Sequence, residues 1–264
     1  MMPTIQNILP ILKAAGKVIL DIYNNENILV NYKDDDSPLT QADTAANKLI
    51  VEYLNEHFSY PIISEEDEQI PFSTRKEYIT FWLVDPLDGT KEFINRNGEF
   101  TVNIALIKNG SPVFGGIYVP VQDTFYFGEE GKGAFVKKGA GELQSISVNE
   151  IGSDLVAVGS KSHAKEEESN FYENIGVSKA VSVGSSLKFC MIASGQADVY
   201  FRSGPTMEWD TAAGHAIVKA AGGEVYKDLE CKEVFTYNKE SLLNGSFLCA
   251  SSADIVKQTQ QDEQ

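Results

Sequence analysis

Residues 81–107 have the sequence FWLVDPLDGTKEFINRNGEFTVNIALI, and the rest of the chain is interpreted outward from this stretch. The apolar run 81–84 is short and aromatic, as in a buried strand. The strand ends at Asp85, where the turn DPLDGT combines a proline with a fixed φ and a glycine that permits a left-handed backbone. We expect this turn to direct Asp85, Asp88 and the Leu87 carbonyl toward one point.

The turn has two interpretations. An aspartate-rich surface turn would need no ligand, because aspartate favours turns by bonding to its own backbone. A site for a hard cation is the alternative, since Mg²⁺ takes oxygen ligands and few protein carboxylates. The turn by itself leaves both interpretations open.

The first half of the chain combines predicted helices with a predicted antiparallel sheet. Apolar residues recur at helical spacing over residues 5–22, and a second helix follows Thr40, which has the spacing of a capping box with Asp43. A Lys-Asn-Gly turn joins strands 101–107 and 113–119 as a hairpin. Further short strands continue this meander. The pattern therefore indicates N-terminal helices packed on an antiparallel sheet.

The second half alternates predicted strands and helices from residue 151 onward. Such alternation is typical of an α/β layer with a mostly parallel sheet. We therefore expect two parts, residues 1–150 and 151–264, that form one compact unit. The predicted fold class is a layered sandwich that combines an α+β half with an α/β half.

Composition excludes several classes of protein. The 264 residues are 42% hydrophobic and 23% charged, which excludes a disordered chain. The net charge of −16 argues against a nucleic-acid polymer as partner, because such binding depends on lysine and arginine. Three cysteines without a C-x-x-C pair suggest neither disulfides nor zinc, and Cys190 and Cys249 are predicted to be buried.

The N-terminal residues lack the pattern of a signal peptide, and no apolar run approaches the ~18 residues that a transmembrane helix needs. The sequence therefore predicts a cytoplasmic protein without a transmembrane segment. The oligomeric state is left open.

Acidic motifs recur along the chain. In chain order they are SEED at 64–67, DPLDGT at 85–90 and EWDTAAG at 208–214. In order and spacing they resemble the metal-site motifs of the inositol monophosphatase superfamily. Flanking segments resemble its 3′(2′),5′-bisphosphate nucleotidase branch; they are KEF at 91–93, GEFTVNIAL at 98–106 and GSSLKFC at 184–190. The resemblance covers nearly the whole chain and implies the layered fold that inositol monophosphatases share with fructose-1,6-bisphosphatases.

The resemblance also implies a centre for two Mg²⁺ ions, with room for a third, weakly held ion near Glu65. Its ligands would be Glu65, Asp85, the Leu87 carbonyl, Asp88 and Asp210. From the residues alone, Asp210 could instead be an acid favoured by the dipole at its helix N-terminus. Four clustered carboxylates with ordinary pKa values near 4 would be ionised at neutral pH, so their repulsion requires cations.

Asp43 and Thr90 are the predicted catalytic pair. The resemblance implies that Asp43 and Thr90 together orient and deprotonate the attacking water. Local sequence gives Asp43 only the role of a helix cap, and the two roles are compatible because a capping acid is held rigidly. The N–H groups of Gly89 and Thr90, at the start of a predicted short helix, would cradle the phosphate.

The predicted substrate contacts lie in the metal motifs and in later segments. They are Glu65, Leu87, Asp88, Gly89, Thr90, Ser162, His163, Ser185, Lys188, Arg202 and Asp210. The later positions resemble the nucleotidase segments for adenosine and the second phosphate. Each has an alternative: His163 could neighbour a helix cap, Lys188 could be a surface charge, and Arg202 could form a salt bridge at the rim.

The resemblance implies a Mg²⁺-dependent phosphomonoesterase, a 3′(2′),5′-bisphosphate nucleotidase. It would convert adenosine 3′,5′-bisphosphate, a small nucleotide by-product of sulfate assimilation, to AMP and phosphate and would be sensitive to lithium. Hydrolysis of inositol 1-phosphate or another small sugar phosphate is the alternative enzyme. A non-catalytic metal-binding module is the alternative from another class. A glycosidase is disfavoured, because it needs one protonated acid rather than four clustered ones.

Overall fold

The computed structural model of the chain describes residues 2–25, 30–32, 38–152, 154–160 and 165–256. The helices of these residues are α1 (Ile5–Tyr23), α2 (Gln41–His57), α3 (Phe72–Arg75), α4 (Thr90–Ile94), α5 (Glu166–Asn174), α6 (Leu187–Ala193) and α7 (Glu208–Ala220). The acidic run 34–36, whose sequence is compatible with a solvated loop or a cation site, lies outside these ranges. No helix within the described ranges has the length and apolarity to span a bilayer.

The strands are short and numerous. In chain order they are β1 (Val30–Tyr32), β2 (Pro38–Thr40), β3 (Ile62–Ser64), β4 (Thr80–Asp88), β5 (Thr101–Lys108), β6 (Ser111–Val119), β7 (Thr124–Glu129), β8 (Gly133–Lys138), β9 (Gln144–Ile146), β10 (Leu155–Ser160), β11 (Val177–Val183), β12 (Val199–Arg202), β13 (Thr206–Met207), β14 (Glu224–Tyr226), β15 (Leu243–Asn244) and β16 (Phe247–Ala250).

The larger sheet follows the order of the chain from β3 to β9. Strands β3 and β4 are parallel, and every later neighbour is antiparallel. The predicted hairpin of β5 and β6 is confirmed. The parallel pair determines the position of two acids: Ser64 pairs with Val84, so the next residues, Glu65 and Asp85, lie side by side.

Strand β4 is buried on both faces, and its alternating side chains enter two different cores. Trp82 and Val84 pack with Ile8 and Leu12 of α1 and with Ile50 of α2. The capping box at the start of α2 is present as predicted. Helices α1 and α2 therefore form the outer layer on this face.

The other face of β4 packs against α6 and α7. Phe81 and Leu83 share a core with Ala213 and Ile217 of α7 and with Tyr200 of β12. That core therefore reaches from the larger sheet through α6 and α7 to the second sheet, and it contains the predicted buried Cys190 and Cys249. Helix α5 packs on the far side of the second sheet. The layers run helix, sheet, helix, sheet, helix.

The second sheet has the order β11-β10-β12-β16-β14. Strand β10 pairs in parallel with β11 and β12, whereas β16 pairs antiparallel with β12 and β14. The prediction of a mostly parallel sheet is therefore correct only for β10 to β12. Strand β16 returns through the sheet in the opposite direction, and its insertion makes the sheet mixed.

Candidate active site

Three carboxylates meet where β3, β4 and α7 converge. Strands β3 and β4 pair as far as Ser64 and Val84, and the Glu65 N–H donates to the Val84 carbonyl at 3.1 Å, which places Glu65 beside Asp85. Helix α7 begins at Glu208 and carries Asp210 in its first turn. One carboxylate oxygen from each of Glu65, Asp85 and Asp210 lies within 4.8 Å of the others. Residues far apart in sequence thus form one acidic cluster.

The acids of the cluster disfavour one another's charge. Burial, followed by the charges of Glu65, Asp88 and Asp210, raises the pKa of Asp85 well above its usual value. Burial, followed by Asp88 and Glu65, does the same to the pKa of Asp210. An all-oxygen donor set that is buried and mutually repelling fits a hard divalent cation, which would remove the repulsion.

Asp88 lies in the same cavity but is held differently. Its Oδ2 accepts the backbone N–H of Ser186 at 2.6 Å and lies 3.4 Å from the amide nitrogen of Asn103. Burial raises its pKa to about 6, against the opposing influence of the Lys188 ammonium and the Ser186 N–H. Asp88 is outside the group of three acids that share the 4.8 Å limit.

The turn between Asp85 and Asp88 is closed by its own hydrogen bond. The Leu87 N–H donates to Asp85 Oδ1 at 3.1 Å, and the Leu87 carbonyl oxygen lies 3.4 Å from the hydroxyl oxygen of Thr90. Gly89 has φ of +90°, and a Cβ there would lie 2.5 Å from Ser185 Oγ. Only glycine fits this position, both for its left-handed backbone and for the close approach of the 184–186 turn.

Asp43 and Thr90 are in contact. The Thr90 hydroxyl donates to Asp43 Oδ1 at 3.2 Å, while Asp43 Oδ2 accepts the N–H and hydroxyl of Thr40 at 2.8 and 2.6 Å. Burial raises the pKa of Asp43, and the hydrogen bonds from Thr40 oppose this rise. Asp43 therefore caps α2 with one carboxylate oxygen and contacts Thr90 of the DPLDGT turn with the other.

A cavity of about 380 Å³ opens above the acids, within the range of roughly 300–1,000 Å³ usual for small-molecule sites. Of the predicted site residues, those that line it are Glu65, Asp85, Leu87, Asp88, Gly89, Thr90, Ser185, Lys188, Arg202 and Asp210. Asp43 is behind Thr90 and is not in the lining. Ser162 and His163 lie outside the described residues.

Lys188 and Arg202 bring positive charge to this acidic cavity. Lys188 is buried, donates to the Ser185 carbonyl at 2.5 Å and lies over the Tyr200 ring, so the alternative of a surface charge is wrong. Burial lowers the pKa of Lys188 to about 8, and Asp88 opposes this shift. The buried Nε of Arg202 has no hydrogen-bond partner among the described residues.

Sequence reasoning missed the side chains that hold Asp88. Thr101 and Asn103 are buried on β5, and Ser186 is buried at the start of α6. The sequence carried a signal for the first two: they are polar residues two positions apart in an otherwise apolar strand, and therefore share one face. Ser186, which contacts Thr101 and Asn103 from the start of α6, could not be identified from strand periodicity.

The chain resembles a known family and several characterised proteins over most of its length. The family model described as "Inositol monophosphatase family" matches residues 3–263. The chain is 44% identical over 245 residues to the 3′(2′),5′-bisphosphate nucleotidase CysQ of Salmonella typhimurium, covering 92% of this chain and 98% of the relative. It is 45% identical over 235 residues to the protein of the same name from Escherichia coli, covering 88% and 94%.

Solved structures give the same result for the fold. The crystal structure of CysQ from Bacteroides thetaiotaomicron, a bacterial member of the inositol monophosphatase family, matches with a TM-score of 0.82 and 42% identity, covering 94% of this chain and 97% of that one. The Thermotoga maritima IMPase matches with a TM-score of 0.76 at 23% identity, covering 98% of both chains, which supports the fold alone. The chain belongs to the inositol monophosphatase family.

Proposed function

We propose that this protein is a 3′(2′),5′-bisphosphate nucleotidase that hydrolyses adenosine 3′,5′-bisphosphate to AMP and phosphate. The observation that carries the proposal is the convergence of Glu65, Asp85 and Asp210 within 4.8 Å at the base of a cavity that also contains basic side chains. The similarity to CysQ nucleotidases over most of the chain supports the choice of substrate.

The proposed cofactor is Mg²⁺. Glu65, Asp85 and the Leu87 carbonyl would hold one ion, and Asp85, Asp88 and Asp210 would hold a second. A third, weakly held ion would lie near Glu65. Bound Mg²⁺ supplies acidification of the attacking water and neutralisation of charge at the leaving oxygen.

Thr90 and Asp43 act on the water in this proposal. The Thr90 hydroxyl donates a hydrogen bond to Asp43 at 3.2 Å, so a lone pair of the Thr90 oxygen remains to accept a hydrogen bond from the water. Asp43 is fixed by Thr40, so it holds Thr90 in that orientation and takes up the proton that Thr90 relays. The N–H groups of Gly89 and Thr90 would contact the phosphate that is released.

Other residues of the same cavity would select the nucleotide. Ser185, Lys188 and Arg202 line the cavity and would contact the second phosphate, since a bisphosphate needs cations beyond those at the scissile group. Ser162 and His163 remain predicted contacts for the adenosine side. This arrangement favours a bisphosphate over a substrate with one phosphate.

The proposed physiological role is removal of a by-product of sulfate assimilation in the cytoplasm. Lithium is expected to inhibit the enzyme. Hydrolysis of inositol 1-phosphate is the competing activity, and its measurement separates the two branches of the family.

The test is phosphate release from adenosine 3′,5′-bisphosphate, AMP and inositol 1-phosphate, with Mg²⁺ and with a chelator. We expect turnover of the bisphosphate, dependence on Mg²⁺ and slow release from the other two compounds. Asp85→Asn should remove the activity, and Asp154→Asn, at an exposed position away from the cavity, should retain it. Preferred turnover of inositol 1-phosphate, or undiminished turnover with chelator, would contradict the proposal.

A further inference from the structure

We propose that Asn103 is a positioning residue for Asp88, and that it directs one oxygen of that carboxylate toward the divalent cation. The inference rests on the proposed function, in which Asp88 is a metal ligand. It assigns a role to a residue of the larger sheet that does not line the cavity. The contacts of Asn103 determine both its own orientation and that of Asp88.

The orientation of the Asn103 amide is fixed by two hydroxyl groups. Its Oδ1 accepts from Thr101 Oγ1 at 3.0 Å and from Ser186 Oγ at 2.8 Å. Hydroxyls can donate or accept, whereas an ionised carboxylate only accepts, so the contact with Asp88 identifies the nitrogen end of the side chain and the hydroxyls donate to its oxygen. The NH₂ end consequently faces Asp88, with Nδ2 at 3.4 Å from Asp88 Oδ2.

Asp88 Oδ2 has donors from both halves of the chain. Asn103 Nδ2 approaches it from β5 at 3.4 Å, and the Ser186 N–H approaches from the start of α6 at 2.6 Å. Thr101 Oγ1 is 3.5 Å away, and its single proton is directed to Asn103 Oδ1 at the shorter distance of 3.0 Å. Asn103 and Thr101 are 1% and 0% exposed, so water does not compete for these contacts. With Oδ2 held in this way, Oδ1 is the oxygen that remains for a cation.

A carboxylate that is already oriented binds a cation without losing further rotational freedom. Partners of this kind, which contact a ligand and not the metal, typically change metal affinity or activity by about 10–100-fold when they are removed. A buried polar cluster with a purely structural role would instead change stability alone. Metal affinity and stability must therefore be measured separately.

The experiment measures the Kd for Mn²⁺ by electron paramagnetic resonance of the free ion, with thermal unfolding of each variant in parallel. Asn103→Leu removes the donor at similar volume and should raise the Kd about tenfold or more. Thr101→Val removes one hydroxyl without a change in volume and should raise the Kd severalfold. Thr101→Ser retains that hydroxyl and should bind as the wild type does.

Tyr172→Phe is the control for the loss of a buried hydrogen bond. The Tyr172 hydroxyl bonds to the Val158 carbonyl at 3.2 Å and contacts no acid of the cluster. This variant should lose stability without a change in Kd. If Tyr172→Phe raised the Kd as much as Asn103→Leu does, the weaker Mn²⁺ binding of Asn103→Leu would be explained by lost stability, and the inference would be overturned.

Asp88→Asn separates this inference from the proposed function. If Asp88→Asn weakens Mn²⁺ binding and Asn103→Leu does not, the role of Asn103 is refuted and the ligand assignment stands. If Asp88→Asn leaves binding unchanged, both fail. Should Asn103→Leu not fold, the pair Thr101→Val and Thr101→Ser decides the question, and equal Kd values for the two would overturn the inference.

Discussion

Asp43 uses its two carboxylate oxygens for different purposes. Oδ2 caps α2 through Thr40, and Oδ1 accepts the hydroxyl of Thr90. Removal of the whole side chain would change both activity and stability, because the loss of a helix cap costs roughly 1 kcal/mol. A substitution that keeps one oxygen can separate them.

We predict that Asp43→Asn lowers kcat by roughly 100-fold or more, because the amide cannot take up the proton that Thr90 relays. One amide oxygen is retained for the cap, so the melting temperature should change little. The Kd for Mn²⁺ should also change little, since Asp43 is not a proposed ligand. Steady-state phosphate release and Mn²⁺ titration measure the two effects. Thr40→Ser, which keeps the capping hydroxyl, is the matched control, and full activity of Asp43→Asn would contradict the pairing.

At the level of single residues, the sequence predicted much of the acidic site. The acids follow strand ends or begin helices, and these positions can be recognised from periodicity and capping patterns. The state of Lys188 could not be predicted in this way. Its burial depends on Tyr200 and the 184–186 turn, which adopts a left-handed φ of 52° at Ser185, and neither feature is encoded within the local pattern around Lys188.

Arg75 links two segments that flank the acidic cluster. It is 3% exposed on α3, and its guanidinium donates to the Asn238 side chain at 2.9 Å and to the carbonyls of Lys239 and Glu240 at 2.5 and 2.6 Å. Glu208, at the start of α7, accepts the N–H groups of Asn238 and Lys239. The segment between β3 and β4 is thereby tied to the helix that carries Asp210.

We predict that Arg75→Ala lowers the free energy of unfolding by roughly 2–3 kcal/mol, because it removes a buried guanidinium that donates charged hydrogen bonds to two backbone carbonyls. Chemical denaturation measures this change. Arg96→Ala is the control: Arg96 also donates to backbone carbonyls, those of Tyr23 and Asn25, but at an exposed position. Its removal should cost less than about 1 kcal/mol. Equal losses for the two variants would contradict the role given to the buried Arg75.

Helix α7 lies against the larger sheet at glycine residues. A Cβ on Gly115 of β6 would lie 2.4 Å from the Ala213 carbonyl, which belongs to the turn of α7 after Asp210. The helix can approach the sheet this closely only where the strand has no side chain. The position of Asp210 therefore depends on a glycine that contacts no ligand.

We predict that Gly115→Ala lowers the free energy of unfolding by roughly 1–3 kcal/mol and weakens Mn²⁺ binding severalfold, since α7 must move away from the sheet. Gly152→Ala is the matched control, because a Cβ at Gly152 has nothing within 4 Å. Denaturation and Mn²⁺ titration of both variants test the effect. If Gly115→Ala were destabilised but bound Mn²⁺ with unchanged affinity, the packing of α7 on Gly115 would not determine the position of Asp210, and the prediction would be contradicted.

For most elements, the sequence predicted whether a segment is a helix or a strand, but not which other elements it packs against or pairs with. Strands β4, β5 and β6 and helices α1 and α2 are confirmed because their periodicity and caps are local. The direction of β16 in the second sheet was not predicted, because its pairing partners are distant in sequence. The polar segment 68–77 has no periodicity in sequence and so predicts a mobile surface loop, yet it contains buried Arg75, whose carbonyl partners cannot be recognised from side-chain patterns.

For the whole molecule, the boundary at residue 150 stays a prediction about folding units. The larger sheet ends with β9 and the second sheet begins with β10, on either side of that point. Yet Phe81 and Leu83 of the larger sheet share a core with α7 and with strands of the second sheet. This shared core is the physical argument for one cooperative unit.

The acidic cluster should make stability depend on pH when divalent ions are removed. The pKa of Asp88 rises from 3.8 to about 6 on folding, so the folded state binds more protons than the unfolded state between these values. The free energy of unfolding therefore falls as the pH rises through this window. Asp85 and Asp210 have raised pKa values and act in the same direction.

We predict that Asp88→Asn, without divalent ions, shows a weaker fall in melting temperature from about pH 4 to pH 7 than the wild type does. Buried His215, whose pKa is lowered, has the opposite pH dependence, but it is present in both proteins and cancels in the comparison. Mg²⁺ should stabilise the wild type more near pH 7 than near pH 5, since ionised acids bind it. Parallel pH profiles for the two proteins would contradict the prediction.

The most direct measurement is the anomalous diffraction signal of Mn²⁺ in crystals of the protein. The account predicts density between Glu65, Asp85 and Asp210, with ions within about 2.5 Å of carboxylate oxygens and a second ion at Asp88. Crystals of Asp210→Asn should show a weaker signal at the same place. Wild-type crystals with no anomalous density among these acids, at Mn²⁺ concentrations that support phosphate release, would contradict the account.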